Sequence, residues 1–248
     1  MPTLQSFLNE LQRLIDNSRW HATSDHLFRI LYGQAAEKQI DLLRKVMRRF
    51  LPIYEARYPD RIWVRRLIDD PFQWCREFGR AIPDTSSGFG MAGDGEFEFC
   101  FSALTLACVS HDDTLRVTSS CASGIEHAIL AQVRSAWAED DPRAFEAERT
   151  FWSARLGDSG EPEMDSFCSG DDAFQHMMTR TEVNNAAAQT VKKREWALTL
   201  EFLRQSGLGE PQYEISTMEN DLKVWSMDYE GSIIPPPMEE RQRLGGEE

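Results

Sequence analysis

The stretch that decides the fold is "AAEKQIDLLRKVMRRFLPIYEARYP", residues 35–59. Its apolar residues recur every three or four positions, at Ile40, Leu43, Val46, Met47, Phe50 and Leu51. This is the period of an amphipathic helix that buries one face. Pro52 is expected to kink this helix rather than end it, because Ile53 and Tyr54 continue the apolar face. The stretch therefore predicts one long helix packed into an α-helical core.

The same period predicts helices on both sides of this stretch. Thr3 is a favourable N-cap for a first helix, and a second helix is expected to begin near Thr23 or Ser24. Residues 61–79, "RIWVRRLIDDPFQWCREFG", predict one or two short helices that end at Gly79.

Helical patterns continue in the second half of the chain. Residues 119–137, "SSCASGIEHAILAQVRSAW", predict a helix whose small residues suit close packing. Asp141 is a suitable N-cap for the next helix, with Pro142 in its first turn. Residues 173–206 indicate one or two further helices, and residues 217–231 contain a last one.

Residues 96–110, "EFEFCFSALTLACVS", fit two patterns. Phe97, Phe99 and Phe101 alternate as in a strand, whereas a single helical face would hold Phe97, Phe101, Leu104 and Cys108. We favour a helix, because the neighbouring segments are helical and a lone hairpin would leave its edges bare. A small β-hairpin within 97–118 is the alternative.

These patterns predict an all-α fold of about nine helices, arranged as an irregular array of helical hairpins that stack like repeats. The 248 residues, 41% of them hydrophobic, suffice for a buried core. We expect one helical domain over 1–232, with subregions 1–82 and 97–232 joined by a Gly-rich loop at 83–96. Residues 233–248 are predicted to be a flexible tail.

The charge of the chain is uneven. Its net charge is −14, but residues 1–82 hold 14 Lys and Arg against 10 Asp and Glu, so the remainder carries −18. An acidic surface repels nucleic acid and anionic membranes and attracts basic proteins. No run approaches the roughly 20 apolar residues of a membrane helix, and the charged N-terminus does not resemble a signal peptide. We therefore expect a cytoplasmic protein that binds neither nucleic acid nor membranes.

The glycines of "SSGFGMAGDG", residues 86–95, match the dinucleotide-binding pattern G-x-G-x-x-G at Gly88, Gly90 and Gly93. That pattern requires a buried strand before it, and none is predicted here. No Lys follows the glycines, which excludes a phosphate-binding P-loop. We expect no cofactor at this segment.

The five cysteines are odd in number and form no C-x-x-C pair, so they are interpreted as small buried hydrophobic residues. A catalytic alternative would combine Cys121 as a nucleophile with an imidazole and a carboxylate, drawn from His111, His127, Asp112 and Asp113. The cluster at 111–113 lacks metal-ligand spacing, and no metal site is predicted.

Four arginines on adjacent predicted helices form a basic group: Arg48, Arg49, Arg65 and Arg66. Phosphate binding is one use of such a group. Pairing with the acidic C-terminal region is the interpretation that we favour, because oppositely charged halves of one chain attract each other.

The stretch around residues 49–65 resembles the all-helical immunity proteins of bacterial polymorphic toxin systems. The matching residues are Arg49, Leu51, Pro52, Tyr54, Glu55, Pro59, Asp60, Arg61 and Arg65. Residues 124–137 and the "KREWALTLEFL" stretch, with Arg194, Glu195, Trp196 and Leu200, agree more loosely. The match covers about a quarter of the chain, and the Phe-rich residues 96–101 depart from the family.

The resemblance implies a non-enzymatic cytoplasmic inhibitor that binds one cognate toxin, and it supplies no catalytic residues. Together with the negative charge, it predicts binding of a basic protein at acidic loops. The predicted contact residues are Asp94, Glu96, Asp112, Asp113, Asp158, Glu161, Asp171 and Asp172. A small cysteine-dependent hydrolase or transferase and a helical scaffold are the alternative functions.

Overall fold

The computed structural model describes residues 3–83, 91–147, 150 and 185–211, and the backbone of two short strands further along the chain. The chain divides into two compact units, residues 1–211 and 212–248. The single helical domain expected over residues 1–232 stays a prediction.

Within the residues described above, the first unit shows eight helices and a helical segment at 142–147. The helices are α1 (Leu4–Asp16), α2 (Trp20–Leu31), α3 (Ala36–Arg57), α4 (Trp63–Asp69), α5 (Pro71–Phe78), α6 (Asp94–Val109), α7 (Thr114–Asp140) and α8 (Ala186–Gln205). The predicted all-α fold is confirmed. In the second unit, the described backbone consists of β1 (Ser226–Met227) paired antiparallel with β2 (Ile233–Ile234).

The two strands fall within segments predicted as a last helix and a flexible tail. Ser226 and Met227 pair with Ile234 and Ile233, so the last helix predicted within 217–231 does not include those two positions. The other residues of both segments lie outside the described part of the chain.

Several predicted helix boundaries are confirmed by their caps. The Thr3 hydroxyl accepts a hydrogen bond from the Ser6 amide at 3.3 Å, and the Asp141 carboxylate accepts one from the Ala144 amide at 3.0 Å. Gly79 ends α5 with a φ of +62°, a backbone conformation that glycine adopts without a Cβ clash.

The predicted start of α2 is wrong, because the helix begins at Trp20 rather than near Thr23 or Ser24. Thr23 and Ser24 donate their hydroxyl hydrogen bonds to the carbonyls of Arg19 and Trp20, four residues earlier. Hydroxyl residues can therefore lie inside a helix as well as cap it.

Residues 97–118 contain most of α6, a turn and the start of α7, so the β-hairpin alternative is wrong. Phe97, Phe101 and Leu104 are fully buried on the face of α6 that the helical pattern predicted, while Phe99 is partly exposed. The turn at 110–113 reverses the chain, and Asp113 caps α7 by accepting a hydrogen bond from the Arg116 amide at 3.0 Å.

The centre of the first unit is a layer of α3, α6 and α7. Gly93, which precedes α6, lies against Ala131 of α7, and the Cys100 thiol donates to the Gly124 carbonyl at 3.3 Å. The two helices therefore run antiparallel at close range. The helix α8 packs against α7 and α1, which brings the first and last described helices of this unit together.

A buried ion pair joins α3 to α8. Glu195 is 1% exposed, and Arg49 donates to both of its oxygens, at 2.5 Å from Nε and 3.1 Å from Nη2. Arg194 adds a further contact to the same carboxylate at 2.9 Å. After the C-terminal end of α8, Glu210 accepts a hydrogen bond from the Leu4 amide at 2.5 Å.

Candidate binding surfaces

The first predicted contact residue, Asp94, is an internal group of the fold. It lies in the first turn of α6, not in a loop, and is only 4% exposed. Its carboxylate accepts hydrogen bonds from the Tyr58 hydroxyl at 2.8 Å, the Met91 amide at 2.9 Å and the Gly95 amide at 2.8 Å. The positive end of α6 is therefore occupied by the chain's own carboxylate, which leaves no place for a phosphate group there.

Glu96, the second predicted contact residue, is also engaged internally. Its carboxylate is mostly buried and pairs with Arg134 of α7 at 2.6 Å. The expectation of an exposed acidic loop at 94–96 is wrong, because a carboxylate is stabilised in the first turn of a helix and these two have partners within the fold.

Glu98, one helical turn after Asp94 on α6, belongs to a half-buried polar cluster. It accepts hydrogen bonds from the Tyr54 hydroxyl at 2.8 Å and from Arg61 at 2.6 Å, and Arg61 also donates to Tyr54. Burial, followed by the nearby Glu98 carboxylate, raises the pKa of Tyr54 well above its usual value. The Arg61 guanidinium lies 4.2 Å from the centre of the Tyr58 ring. This cluster connects α3, the turn before α4, and α6.

The second pair of predicted contact residues, Asp112 and Asp113, lies at the turn between α6 and α7. The Asp112 side chain is 95% exposed, and the His111 imidazole lies 3.4 Å from its carboxylate. Asp113 is half exposed and caps α7 while lying 3.7 Å from Arg116. Residues 91–147 carry ten Asp and Glu against three Lys and Arg, so this turn belongs to the acidic part of the first unit.

The remaining predicted contacts lie outside the described residues; they are Asp158, Glu161, Asp171 and Asp172.

Only one residue of the basic group has the role that we favoured. Arg49 alone pairs with the C-terminal part of the described chain, through Glu195. The other three arginines pair within the first 82 residues, as Arg48 with Asp69 at 2.9 Å, Arg65 with Glu55, and Arg66 with Glu77. These three pairs join residues 10–21 positions apart, and all four guanidinium groups have a carboxylate partner.

The described cysteines are poorly suited to nucleophilic catalysis. Cys100, Cys108 and Cys121 are buried, Cys75 is partly exposed, and burial raises the pKa of all four thiols. A nucleophilic cysteine requires the opposite shift. Cys168 lies outside the described residues.

The two candidate histidines make local contacts. His127 hydrogen-bonds to the Ser123 carbonyl at 2.9 Å and stacks on Phe99, with ring centres 4.0 Å apart. His111 hydrogen-bonds to the Cys108 carbonyl at 3.2 Å. Within the described ranges, neither imidazole is hydrogen-bonded to the Cys121 thiol.

These environments predict an order of thiol reactivity. In a Cys168→Ser variant of the folded protein, iodoacetamide is expected to alkylate Cys75 at least about tenfold faster than Cys121. Peptide mass spectrometry after timed quenching measures both rates, and urea-unfolded protein serves as the control in which the rates converge. Rapid labelling of Cys121 in the folded protein would contradict this expectation and favour the cysteine-enzyme alternative.

A second surface feature is an apolar groove that no sequence pattern singled out. It has a volume of about 620 Å³ and is lined by Ile62, Trp63, Arg66, Trp74, Phe78, Ala81, Ile82 and Pro83. The sequence of residues 61–79 predicted only one or two short helices, with no statement about their surface. The structure leaves Ile62 78% exposed and Phe78 45% exposed.

Three aromatic residues of the groove lining belong to an aromatic ladder that continues inward to the core. We use this name for the rings of Phe101, Trp63, Trp74 and Phe78. The Trp63 ring contacts the buried Phe101 ring edge-on, with 5.3 Å between the ring centres. The centres of the Trp63 and Trp74 rings are 5.8 Å apart, and these two rings are tilted. Phe78 continues the ladder, 4.6 Å from Trp74, and the Arg66 guanidinium lies 5.6 Å from the Phe78 ring centre.

Comparison with protein-family models, with curated proteins and with solved structures finds no match to this chain. The resemblance to immunity proteins therefore stays a prediction. In the part of the chain that the structure describes, every helix is too short or too polar to cross a lipid bilayer. The same residues contain no group of three or more His, Cys, Asp or Glu side chains arranged to hold a metal ion.

Proposed function

We propose that this protein is a non-enzymatic binding protein that neutralises a basic protein toxin through the acidic turn between α6 and α7. The observation that carries the proposal is the placement of Asp112. Its carboxylate is almost fully exposed at the tip of a turn, in a region with a net charge of −7. Such a carboxylate can steer and pair with a cationic partner.

The framework behind this turn supports the same function. Both flanking helices have buried faces within the α3, α6 and α7 layer, and Asp113 fixes the start of α7. A turn held by two packed helices loses little conformational freedom when a partner binds, which favours affinity. A helical scaffold for other basic proteins would use the same surface, and the nature of the partner separates the two functions.

The acidic turn is tested by combining Asp112→Arg with Asp113→Asn. Asparagine keeps the N-cap of α7, so the double variant removes charge without removing the cap. We expect binding to a co-expressed basic toxin to weaken about tenfold or more, with a slower association rate at low salt. The toxin is identified by its gene next to the gene of this protein, and binding is measured by surface plasmon resonance.

The matched control is Asp25→Arg together with Asp60→Asn, which makes the same charge change at exposed sites on α2 and before α4. This control is expected to bind as the unmodified protein does. Equal binding by both double variants would exclude the acidic turn as the contact surface. Turnover of a substrate by the isolated protein, without any partner, would contradict the non-enzymatic function.

A further inference from the structure

Two cysteine side chains on neighbouring helices are in contact. Cys75 lies on α5 and Cys108 lies in the last turn of α6. The Cys75 thiol donates a hydrogen bond at 3.8 Å to the carbonyl of Thr105, which is one helical turn before Cys108. The Cys75 and Cys108 thiols are also hydrogen-bonded to each other. We call these two residues the thiol pair, and such contact is the first requirement for a disulfide.

The two members of the thiol pair differ in their access to solvent. Cys75 is partly exposed, whereas Cys108 is only 3% exposed. Burial raises the pKa of both thiols, and the hydrogen bond between them opposes this increase at Cys75 and adds to it at Cys108. A reagent in solution therefore reaches Cys75 first, and Cys75 is also the first of the two to ionise. Cys108 lies behind it, in contact with its sulfur.

The other described cysteines have different surroundings. The buried Cys100 thiol donates to two backbone carbonyls, those of Glu96 at 3.2 Å and Gly124 at 3.3 Å. Cys121 on α7 is fully buried, so solvent does not reach its thiol directly. Among the cysteines in the described ranges, the thiol pair alone combines a thiol–thiol hydrogen bond with access from solvent.

We propose that the thiol pair is a reversible redox site, at which a low-molecular-weight disulfide such as oxidised glutathione converts Cys75 and Cys108 into a disulfide that links α5 to α6. The Cys75 thiolate attacks one sulfur of the oxidant and breaks its S–S bond, so one glutathione leaves and takes up the Cys75 proton. Cys108 then attacks the Cys75 sulfur and displaces the second glutathione, which takes up the Cys108 proton. Two protein thiols are oxidised, and one glutathione disulfide is reduced to two thiols.

The second step is favoured by the fold itself. Because the two sulfurs are already in contact, Cys108 attacks the mixed disulfide as a neighbouring group rather than as a second molecule. The link would close a loop from residue 75 to residue 108 and would restrict the unfolded chain. We therefore expect oxidation to raise the melting temperature by about 5 °C or more. No partner takes part, so the inference does not depend on the proposed function.

The test equilibrates the full-length protein with mixtures of reduced and oxidised glutathione at about pH 8, where more of each thiol is ionised. After acid quenching and alkylation of the remaining thiols, the protein is digested with chymotrypsin without reduction. Cleavage after Phe101 separates Cys100 from Cys108, so mass spectrometry assigns the link. We expect the Cys75 peptide to be joined to the Cys108 peptide, and dithiothreitol to reverse both the link and the increase in melting temperature.

Substitutions separate the two steps. In Cys108→Ala, the reaction is expected to stop with glutathione attached to Cys75, and the melting temperature should no longer rise. The matched control is Cys121→Ala, at another buried cysteine, which should form the link to the same extent as the unmodified protein. Circular dichroism compares the helix content of these proteins. Cys75→Ser, at the partly exposed member, should also abolish the rise and tests the pair without altering a buried position.

Three results would overturn the proposal. The first is glutathione that persists on Cys75 of the unmodified protein while Cys108 stays a free thiol, since the pair would then be too far apart to react. The second is a disulfide from Cys75 to Cys121 or Cys168 in place of the one to Cys108. The third is a link that forms only after unfolding in urea and leaves the folded protein unmodified at millimolar oxidised glutathione.

Discussion

Arg49→Met is expected to lower the free energy of unfolding by about 3–5 kcal/mol, because it leaves the buried Glu195 carboxylate without its bidentate partner. Arg194 also contacts Glu195, but the Arg194 side chain is more than half exposed and shares only one of the two oxygens. Urea denaturation followed by circular dichroism measures the change.

The matched control for this prediction is Arg48→Met. Arg48 precedes Arg49 on α3 and pairs with Asp69 at the surface, where both side chains are substantially exposed. Removing an exposed pair changes stability by about 1 kcal/mol or less. A loss for Arg49→Met no larger than the loss for Arg48→Met would show that the α3–α8 ion pair contributes no more than a surface contact does.

Gly93→Ala is expected to destabilise the protein by about 3 kcal/mol or more. The backbone at Gly93 has a φ of +88°, which costs an alanine residue about 1–2 kcal/mol. A Cβ atom there would also lie 2.4 Å from the Ala131 carbonyl oxygen. Because that oxygen belongs to the backbone of α7, relief requires the two helices to move apart, with a further cost of about 1–3 kcal/mol.

Gly95→Ala provides a control with the opposite sign. Gly95 lies in the first turn of α6 with an ordinary helical backbone, and nothing lies within 4 Å of a Cβ atom built there. Alanine is the better helix former, so this variant should be stabilised by roughly 0.5–1 kcal/mol. Thermal unfolding of the two variants side by side tests both signs, and similar melting temperatures would contradict the close approach of α6 and α7.

Local patterns in the sequence were sufficient to predict the fold class. The apolar period at Ile40, Leu43 and Phe50 identified α3, and all three residues are buried. The choice of a helix for α6 followed from the positions of Phe97 and Phe101 on one face. Such patterns succeed because the spacing that places apolar residues on one face of a helix is visible in neighbouring residues alone.

The positions of the charged side chains could not be predicted in the same way. Asp94 and Glu96 were expected at a surface, yet their partners Tyr58 and Arg134 are about 40 residues away along the chain. Glu195 and Arg49 are 146 residues apart. A local pattern contains no information about which distant residues the fold brings together, so the burial of a given carboxylate follows only from the complete packing.

The residues that carry the resemblance have structural roles here. Tyr54 and Arg61 belong to the polar cluster with Glu98, Glu55 pairs with Arg65, and Arg49 holds Glu195. Contacts of this kind stabilise helix packing in proteins of many functions, so these residues do not by themselves identify a partner.

The ion pair between Arg49 and Glu195, and the packing of α1 on α8, also bear on how the chain is made. At about 5–20 residues per second, the 146 residues between the two charges take roughly 7–30 s to be translated. During that interval the apolar faces of α1 and α3 emerge from the ribosome before α8 exists to cover them. We therefore expect chaperones to bind the nascent chain during this interval, and a rare-codon pause before α8 to lengthen the exposure of α1.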